Sequence, residues 1–301
     1  MEIGFPNKTK PIHKGFIFGF NDFLEMKYFW IFLLLPFFAS SQTHRFVYEY
    51  QFKRDSTEAD LEKMNMVLDI NPDEAKFYSY DYVETDSLNK IRGIRRMLWD
   101  DSPAIIRKLG SYKNQSYILI DNLFYFETED IMNWKLSEET KNSAGYHLQK
   151  ATTQFGGRIW NAWFAKDLNI NEGPYKFRGL PGLIFEISDS QENFIFKLVK
   201  SYQLNQTFNT RELVENFAGM QPVKISDKTY QKLILDSYGN PIKEIMESFK
   251  ENKNPDNTFY VNGIQIKSAD QFKELKEMRQ LQMRKYNNPI ERNKIIHYPS
   301  K

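Results

Sequence analysis

The sequence of 301 residues contains no cysteine. It therefore cannot form a disulfide, bind an iron–sulfur cluster through thiolates or act as a thiol oxidoreductase. An N-terminal lipid anchor would also need a cysteine, so we do not expect a lipoprotein. A chain of this length can bury a core that is stable without disulfides.

Histidine is scarce, with only His13, His44, His147 and His297. No two of them have the spacing of a zinc-binding pair, so the sequence predicts neither a metal nor another cofactor. Only His147 falls in a predicted core element, where we interpret it as an ordinary strand residue. The sequence also has no Gly-x-Ser-x-Gly elbow, no phosphate-binding loop and no Gly-x-Gly-x-x-Gly motif. These absences favour a non-enzymatic protein.

Charge of one sign is not in excess. Lysine and arginine number 41 and aspartate and glutamate 39, which leaves a formal net charge of +2. No block of like charge stands out, so we expect no nucleic-acid partner. The acidic group Glu127, Glu129 and Asp130 is interpreted as a solvated turn after a strand, with a glycosidase-like carboxylate pair as the alternative.

The apolar run from Tyr28 to Phe38 is about 11 residues long, whereas a membrane-spanning helix needs about 20. Met26-Lys27 precedes the run and Ala39-Ser40-Ser41 follows it, which is typical of a secretory signal peptide. We expect cleavage near 41/42 and an exported, periplasmic mature chain, soluble or peripheral to the outer membrane. Residues 1–25 resemble no usual leader, and Met26 is a natural alternative start. Residues 42–301 are expected to form a single domain.

Aromatic residues make up 16% of the chain, which favours strands and extended sheets. Alternation of aromatic with other residues predicts strands over 46–53 and 76–83. We interpret the aromatic faces as core, or as the lining of a half-barrel that holds an apolar ligand such as a lipid or acyl chain. The two faces are Phe46, Tyr48, Tyr50 and Phe52, and Tyr78, Tyr80 and Tyr82.

Three hairpins are predicted further along, over 117–127, 146–164 and 183–202. Residues 84–115 are weakly patterned, with a short helix expected around 88–98. Because no helices intervene between the later hairpins, we predict an antiparallel meander.

The C-terminal third predicts helices instead. Ser226 or Asp227 can begin a helix that runs to about Ser237 and is terminated by Gly239. The stripe Ile242, Ile245, Met246 and Phe249 is typical of a core-facing helix. A small hairpin around Asn262-Gly263 and a last helix from Phe272 follow. The expected fold is therefore α+β: a large curved antiparallel sheet with the C-terminal helices packed on one face.

Residues Gly179-Leu180-Pro181-Gly182-Leu183-Ile184 form the most distinctive motif. Pro181 suits the second position of a tight turn, and Gly182 can supply a positive φ at the third. Leu183, Phe185 and Ile187 are then expected to alternate on one face of a strand.

This hexapeptide resembles the signature of the GLPGLI family, exported bacterial proteins named after it and largely of unknown function. The resemblance is strongest over 145–189. It is carried by Gly145-Tyr146, Lys150-Ala151, Gly157-Arg158, Ala162-Trp163-Phe164, Gly173-Pro174-Tyr175-Lys176-Phe177 and, near the end, Asn288-Pro289-Ile290-Glu291. Many members have a cysteine shortly after the Gly-Tyr pair, where this chain has His147-Leu148-Gln149, so a cysteine-based role does not carry over. The resemblance implies a cell-envelope protein and, as partner, an outer-membrane transporter of the TonB-dependent type.

The candidate binding surface consists of the hexapeptide and the side chains near it: Arg158, Trp163, Asp167, Lys176 and Arg178. Arginine and tryptophan beside a turn can bind a partner's carboxylate or apolar segment. The alternative is structural, with Trp163 capping a core and Arg158 paired with Asp167 or Glu186.

Taken together, these features predict a non-enzymatic periplasmic binding or interaction protein that works with the outer membrane or a transporter there. One alternative is a carrier of an apolar ligand. A cofactor-free hydrolase is a further alternative with less support.

Overall fold

A computed structural model describes residues 42–251, 259–261, 264–266 and 270–299. The predicted signal peptide, Ser41 at its cleavage site, residues 1–25 and the turn residues Asn262 and Gly263 lie outside these ranges. Among the helices that are described, none is long and apolar enough to cross a membrane.

One mixed sheet of 12 strands dominates the described chain. The strands are β1 (Thr43–Phe52), β2 (Glu62–Ile70), β3 (Glu74–Ser79), β4 (Ala104–Lys108), β5 (Lys113–Leu119), β6 (Leu123–Glu129), β7 (Lys135–Ser143), β8 (Tyr146–Phe155), β9 (Arg158–Ala165), β10 (Leu183–Asp189), β11 (Phe194–Leu204) and β12 (Val223–Lys224). Their order across the sheet is β12-β6-β5-β4-β3-β2-β1-β11-β10-β9-β8-β7, so the sheet is open, with β12 and β7 at its edges. All neighbours are antiparallel except β12, which runs parallel to β6.

Eleven of the 12 strands form two meanders, β1 to β6 and β7 to β11. The predicted hairpins over 117–127, 146–164 and 183–202 are all present within them. The meanders join where β1 pairs with β11, which places Tyr50 opposite Phe196. This long-range pairing leaves no local signal in the sequence.

The first aromatic face is core, as predicted. Phe46, Tyr48 and Tyr50 are buried, and Phe52 packs against the same cluster. The Tyr50 ring stacks on Phe196 with 4.5 Å between centroids. Aromatic burial on this scale supplies much of the stability of such a core.

The second aromatic face is not a strand face, and that prediction is wrong. Strand β3 ends at Ser79, whose hydroxyl accepts a hydrogen bond from the Asp81 amide and so caps helix α1 (Tyr80–Arg92). Tyrosines spaced two residues apart suit a strand but do not exclude a helix. The capping serine therefore favours a helix from Tyr80 onward. Tyr78 and Tyr82 still stack, with 6.5 Å between centroids, whereas Tyr80 is only half-buried.

The weakly patterned segment 84–115 holds two departures from prediction. Helix α1 ends at Arg92, because Gly93 takes a left-handed φ of +62°, so the helix lies earlier than the expected 88–98. Strand β4 follows and was not predicted. Its Ala104, Ile105 and Ile106 are all buried, and a run buried on both sides lacks the alternation that marks a strand.

The C-terminal helices follow the predicted pattern. They are α2 (Asp227–Gly239), α3 (Lys243–Glu251) and α4 (Asp270–Lys285), and Ser226 caps α2 through the Thr229 amide at 3.1 Å. The predicted stripe beginning at Ile242 packs with Phe272 and Leu275 of α4. Strands β13 (Phe259–Val261) and β14 (Ile264–Ile266) pair as the predicted hairpin.

Candidate functional site

The hexapeptide forms a turn that is one residue tighter than predicted. The Gly182 amide donates to the Leu180 carbonyl at 2.8 Å, which closes a three-residue turn around Pro181. The fixed φ of proline suits the central position of such a turn. A Cβ on Gly182, where φ is +154°, would overlap the Ala165 carbonyl. A close backbone approach therefore requires glycine at this position.

Strand β10 continues the motif into the core with a β-bulge. The pairing with β9 shifts register between Ile184 and Glu186, leaving Phe185 as the extra residue. Ile184 and Ile187 therefore share a face, and Leu183 lies on the other, contrary to the predicted alternation. The hydroxyl of Tyr48, on β1, reaches past β11 in the same sheet and donates to the Ile184 carbonyl at 2.6 Å, next to the bulge.

Arg158 is an internal cation. Its guanidinium donates to Asp189 at 3.0 Å, to the Asn288 side chain at 2.7 Å and to the Ile290 carbonyl at 3.0 Å. Burial lowers the pKa of Arg158, although Asp189 opposes the change. The predicted pairing with Asp167 or Glu186 is wrong, because the arginine at the start of β9 faces the end of β10 instead.

Lys176 and Arg178 are also internal. The Lys176 ammonium lies 2.7 Å from Glu291, 3.2 Å from Asp130 and 3.0 Å from the Thr128 hydroxyl. Arg178 lies 3.4 Å from the carboxylate of Glu172. Glu127 and Glu129 lie within β6 itself, and the side chain of Asp130 is only 10% exposed, so the interpretation of this acidic group as a solvated turn after a strand is wrong.

A second buried pair holds the same loop to the sheet. The guanidinium of Arg107, on β4, donates to the Glu172 carboxylate at 2.6 Å and to the Tyr175 carbonyl at 2.7 Å. Breaking one partner of a buried pair costs about 3–5 kcal/mol, because the other charge stays buried alone. The loop that carries the motif is therefore fixed by ion pairs on several sides.

The remaining predicted site residues divide by exposure. Leu180, Leu183 and Ile184 are buried, whereas Asp167, Gly179 and Pro181 are exposed. Trp163 is half-buried, and the Lys141 ammonium lies 4.4 Å from its ring centroid. The structure thus brings Arg158 and Lys176 to a common neighbour, the segment 288–291, and leaves Asp167 apart from both.

His147 is exposed on β8, with its Nδ1 3.0 Å from the Asn142 side chain. Over the described ranges, no group of three histidine and acidic side chains has the geometry to hold a metal ion.

The C-terminal segment Asn288-Pro289-Ile290-Glu291 packs against the β8–β9 turn. A Cβ on Gly156 would come within 2.8 Å of the Glu291 Cα. Glu291 accepts hydrogen bonds from Lys176 at 2.7 Å and from the Tyr175 hydroxyl at 2.6 Å. Two motifs more than a hundred residues apart in the sequence thus form one buried polar network.

A cavity of about 660 Å³ lies beside this network. Strand residues of β1, β2, β4, β5, β6 and β11 line it, together with residues 99–103, Tyr230 of α2 and the segment 288–291. Its lining includes the aromatic side chains Tyr50, Phe52, Trp99, Phe126, Tyr175 and Tyr230. Tyr230 stacks on Phe126 with 5.2 Å between centroids. The first aromatic face predicted from sequence therefore contributes to a cavity wall as well as to the core.

Several hydroxyls that line the cavity have no hydrogen-bond partner among the described residues. They include those of Ser102, whose Oγ is fully buried, of Tyr50, which is 4% exposed, and of Tyr230. Burial raises the pKa of both phenols, opposed for Tyr50 by Arg158 and reinforced for Tyr230 by Asp227. Both hydroxyls are therefore neutral and able to donate or accept. Tyr175 differs, because its hydroxyl is taken by Glu291.

Charged side chains in the cavity lining balance. Three are cationic and three anionic: Lys53, Arg54 and Lys294, and Asp100, Asp101 and Glu291. Glu291 is held by Lys176 and by Lys294 at 3.0 Å, and Arg54 by Glu62 at 2.7 Å. Burial raises the pKa of Glu291, but the ammonium groups of Lys176 and Lys294 outweigh it and hold that pKa below its usual value.

A smaller cavity of about 420 Å³ lies between α1, residues 94–98 and residues 212–217. Tyr82, Leu98 and Phe217 line it. Its lining includes Tyr82 of the second predicted aromatic face but none of the residues predicted for the binding surface around the hexapeptide.

Sequence reasoning missed most of the cavity. Trp99, Phe126, Tyr230 and Glu291 come from four separate segments, and each segment taken alone predicts only a loop, a strand, a helix or a chain end. The usable signals were the aromatic face of β1 and the motif Asn288-Pro289-Ile290-Glu291, which the sequence marked as a family motif and not as part of a site.

One segment of the chain is similar to a known family. Residues 155–186 match a family described as a protein of unknown function (Porph_ging). Two structures of PNGF-II, in space groups C2 and P21, are 16% identical to the chain, with TM-scores of 0.48 and 0.49. Each alignment covers 66% of this chain and 34% of the other, so the chain spans about a third of their length. No curated protein matches the sequence.

Proposed function

We propose that the chain is an exported, non-enzymatic binding protein of the GLPGLI type, whose ligand site is the aromatic cavity. The family assignment is supported by the hexapeptide and its neighbouring motifs, and the match over 155–186 supports only membership of a family of unknown function. The periplasmic location rests on the predicted signal peptide.

The proposed architecture is a half-barrel with the C-terminal helices over one face. Strands β6 and β7 are consecutive in the chain but ten strand spacings apart in the sheet order. A flat sheet would separate them by roughly 48 Å, whereas the connection from Glu129 to Lys135 spans at most about 20 Å. This short connection favours a strongly curled sheet. The contact of Tyr230 with Phe126 supports helix packing on the face that carries the cavity.

The cavity is the observation that carries the proposal. Its volume of about 660 Å³ falls within the roughly 300–1,000 Å³ of small-molecule sites. Such sites are mostly apolar with a few polar groups that orient the ligand, and here aromatic rings and the hydroxyls of Tyr50 and Tyr230 have these roles.

The motif surface is a weaker candidate than the cavity. The side chains of Arg158 and Lys176 are 2% and 1% exposed and are paired inside the protein. A partner's carboxylate would have to displace these buried pairs, which costs several kcal/mol. We therefore assign the motif and its loop a structural role. Lys176 and Tyr175 of this loop hold the side chain of Glu291, which lines the cavity.

The non-enzymatic assignment stays a prediction from the motifs that the sequence lacks, and Glu291 in particular does not suit the role of a general acid. A general acid needs a raised pKa, whereas the pKa of Glu291 is lowered by two ammonium groups. The partnership with a TonB-dependent outer-membrane transporter stays a prediction from the resemblance, in which the transporter would exchange ligand with this protein.

Native mass spectrometry of the mature chain, purified from its own cell envelope, tests the proposal. We expect a non-covalent mass on the wild type that is lost in Ser116→Trp, which fills the cavity from the middle of β5. Thr140→Trp adds the same side chain at an exposed position of β7 and should retain the mass. A bound mass that persists in Ser116→Trp would place the site elsewhere.

A further inference from the structure

We propose that the ligand of the aromatic cavity is a neutral saccharide and not an acyl chain, an inference that rests on the proposed function. The lining combines flat apolar rings with hydroxyls that have no partner among the described residues.

The free hydroxyls argue against an acyl chain. Tyr50 is buried, and its hydroxyl has no hydrogen-bond partner in the described chain. A hydrocarbon tail over this group would leave it dry and unpaired, which costs about 1–3 kcal/mol. The Tyr230 hydroxyl adds a second such cost. A ligand with its own hydroxyls can satisfy both groups, since each phenol donates and accepts.

The rings supply the complementary apolar surface. Phe52, Trp99 and Tyr230 are each half-buried, so part of each side chain remains open where it lines the cavity. A pyranose ring has a flat face of C–H groups surrounded by hydroxyls. Aromatic side chains offer both a broad apolar body and, in tyrosine, a polar tip. This combination of flat face and hydroxyl rim matches the cavity better than a flexible chain does.

The charge balance argues for a neutral ligand. The three cationic and three anionic side chains of the lining leave no net charge. Lys53 and Asp101 form no hydrogen bond or ion pair through their charged groups with other described residues. One offers a donor and the other an acceptor. A fatty-acid carboxylate would instead favour an excess of cations.

The experiment uses an array of immobilised glycans and, in parallel, titration with laurate. Any glycan retained on the array is titrated in solution against the protein, with intrinsic tryptophan fluorescence, to which Trp99 of the lining contributes, as the reporter. Tyr50→Phe removes one hydroxyl and keeps the ring, and we expect it to weaken glycan binding about 3- to 10-fold, as for one lost neutral hydrogen bond. Tyr260→Phe changes a tyrosine that is 60% exposed in the β13–β14 hairpin and should bind like the wild type.

Each result has a defined meaning. Glycan binding that is weakened by Tyr50→Phe and unaffected by Tyr260→Phe supports the inference. Laurate binding without glycan binding overturns it but leaves the proposed binding function standing. Glycan binding that is indifferent to Tyr50→Phe places the sugar outside the cavity and overturns the inference. Failure of both probes, with no co-purified mass on the wild type, overturns the inference and the proposed function together.

Discussion

Tyr48 and Tyr50 are neighbours on the same face of β1. We expect removal of the Tyr48 hydroxyl to lower the free energy of unfolding and removal of the Tyr50 hydroxyl to leave it unchanged. The Tyr48 hydroxyl donates to the Ile184 carbonyl at 2.6 Å and is fully buried. Tyr48→Phe would leave that carbonyl without this donor, at a cost of about 1–3 kcal/mol in the free energy of unfolding. For a domain of this size, each kcal/mol lowers Tm by about 2–4 °C, so the expected loss is about 2–12 °C.

Tyr50→Phe is the matched control, because the hydroxyl it removes has no partner in the described protein. The ring and its stacking on Phe196 at 4.5 Å remain. We expect the free energy of unfolding to stay within about 0.5 kcal/mol of the wild type, or to rise.

Urea unfolding of the ligand-free protein, followed by circular dichroism, compares the two variants. The stabilities can be compared if the m-value is the same in both variants and the wild type. If Tyr50→Phe destabilises the protein as much as Tyr48→Phe, the Tyr50 hydroxyl has a structural partner and is not available to a ligand. That result would refute the assignment of the cavity hydroxyls.

Three further predictions concern the motif and its buried network. Gly182→Ala should destabilise the protein by at least about 3 kcal/mol, because the added Cβ overlaps backbone that cannot move away. Its control, Gly179→Ala, has a φ of +90° and no close contact, and should cost only about 1–2 kcal/mol. Equal costs by urea unfolding would refute the close approach of the backbone at Gly182. Arg158→Met should lower the free energy of unfolding by about 3–5 kcal/mol, because it leaves the buried Asp189 carboxylate without its cation. Arg54→Met breaks an exposed ion pair and should lower it by less than about 1 kcal/mol. A larger loss for Arg54→Met than for Arg158→Met would contradict the burial of Arg158. Because the pKa of Glu291 is lower in the folded protein than its ordinary value, its contribution is present above the ordinary pKa and is lost as pH falls through the folded pKa. Glu291→Gln should therefore flatten the loss of stability in acid, and identical pH profiles for wild type and variant would show that Glu291 is not involved.

Much of the fold could be predicted because the signals are local. The aromatic alternation of β1, the hairpin turns at Asp121-Asn122 and Gly156-Gly157, and the serine cap of α2 each act over a few residues. Tyr80 shows the limit of such signals, since a capping serine overrode an alternation that also suited a strand. Strand β4 was missed for a related reason, because burial on both sides removes the alternation.

The candidate site could be predicted only in part, because its geometry depends on long-range pairing. Arg158 was identified as important, but its partners Asp189, Asn288 and Ile290 depend on how the chain end returns to the β8–β9 turn. No local rule gives that return path. The cavity likewise depends on Tyr230 reaching Phe126, a contact between a helix and a strand about a hundred residues apart.

The central claim, that the aromatic cavity is the ligand site, is tested most directly by a crystal structure of the chain purified with its ligand from the native cell envelope. We predict density for a ring-shaped, hydroxylated ligand within the cavity, with hydrogen bonds to the hydroxyls of Tyr50 and Tyr230. Density at the exposed Gly179–Pro181 turn, with only water beside Tyr50, would contradict the account.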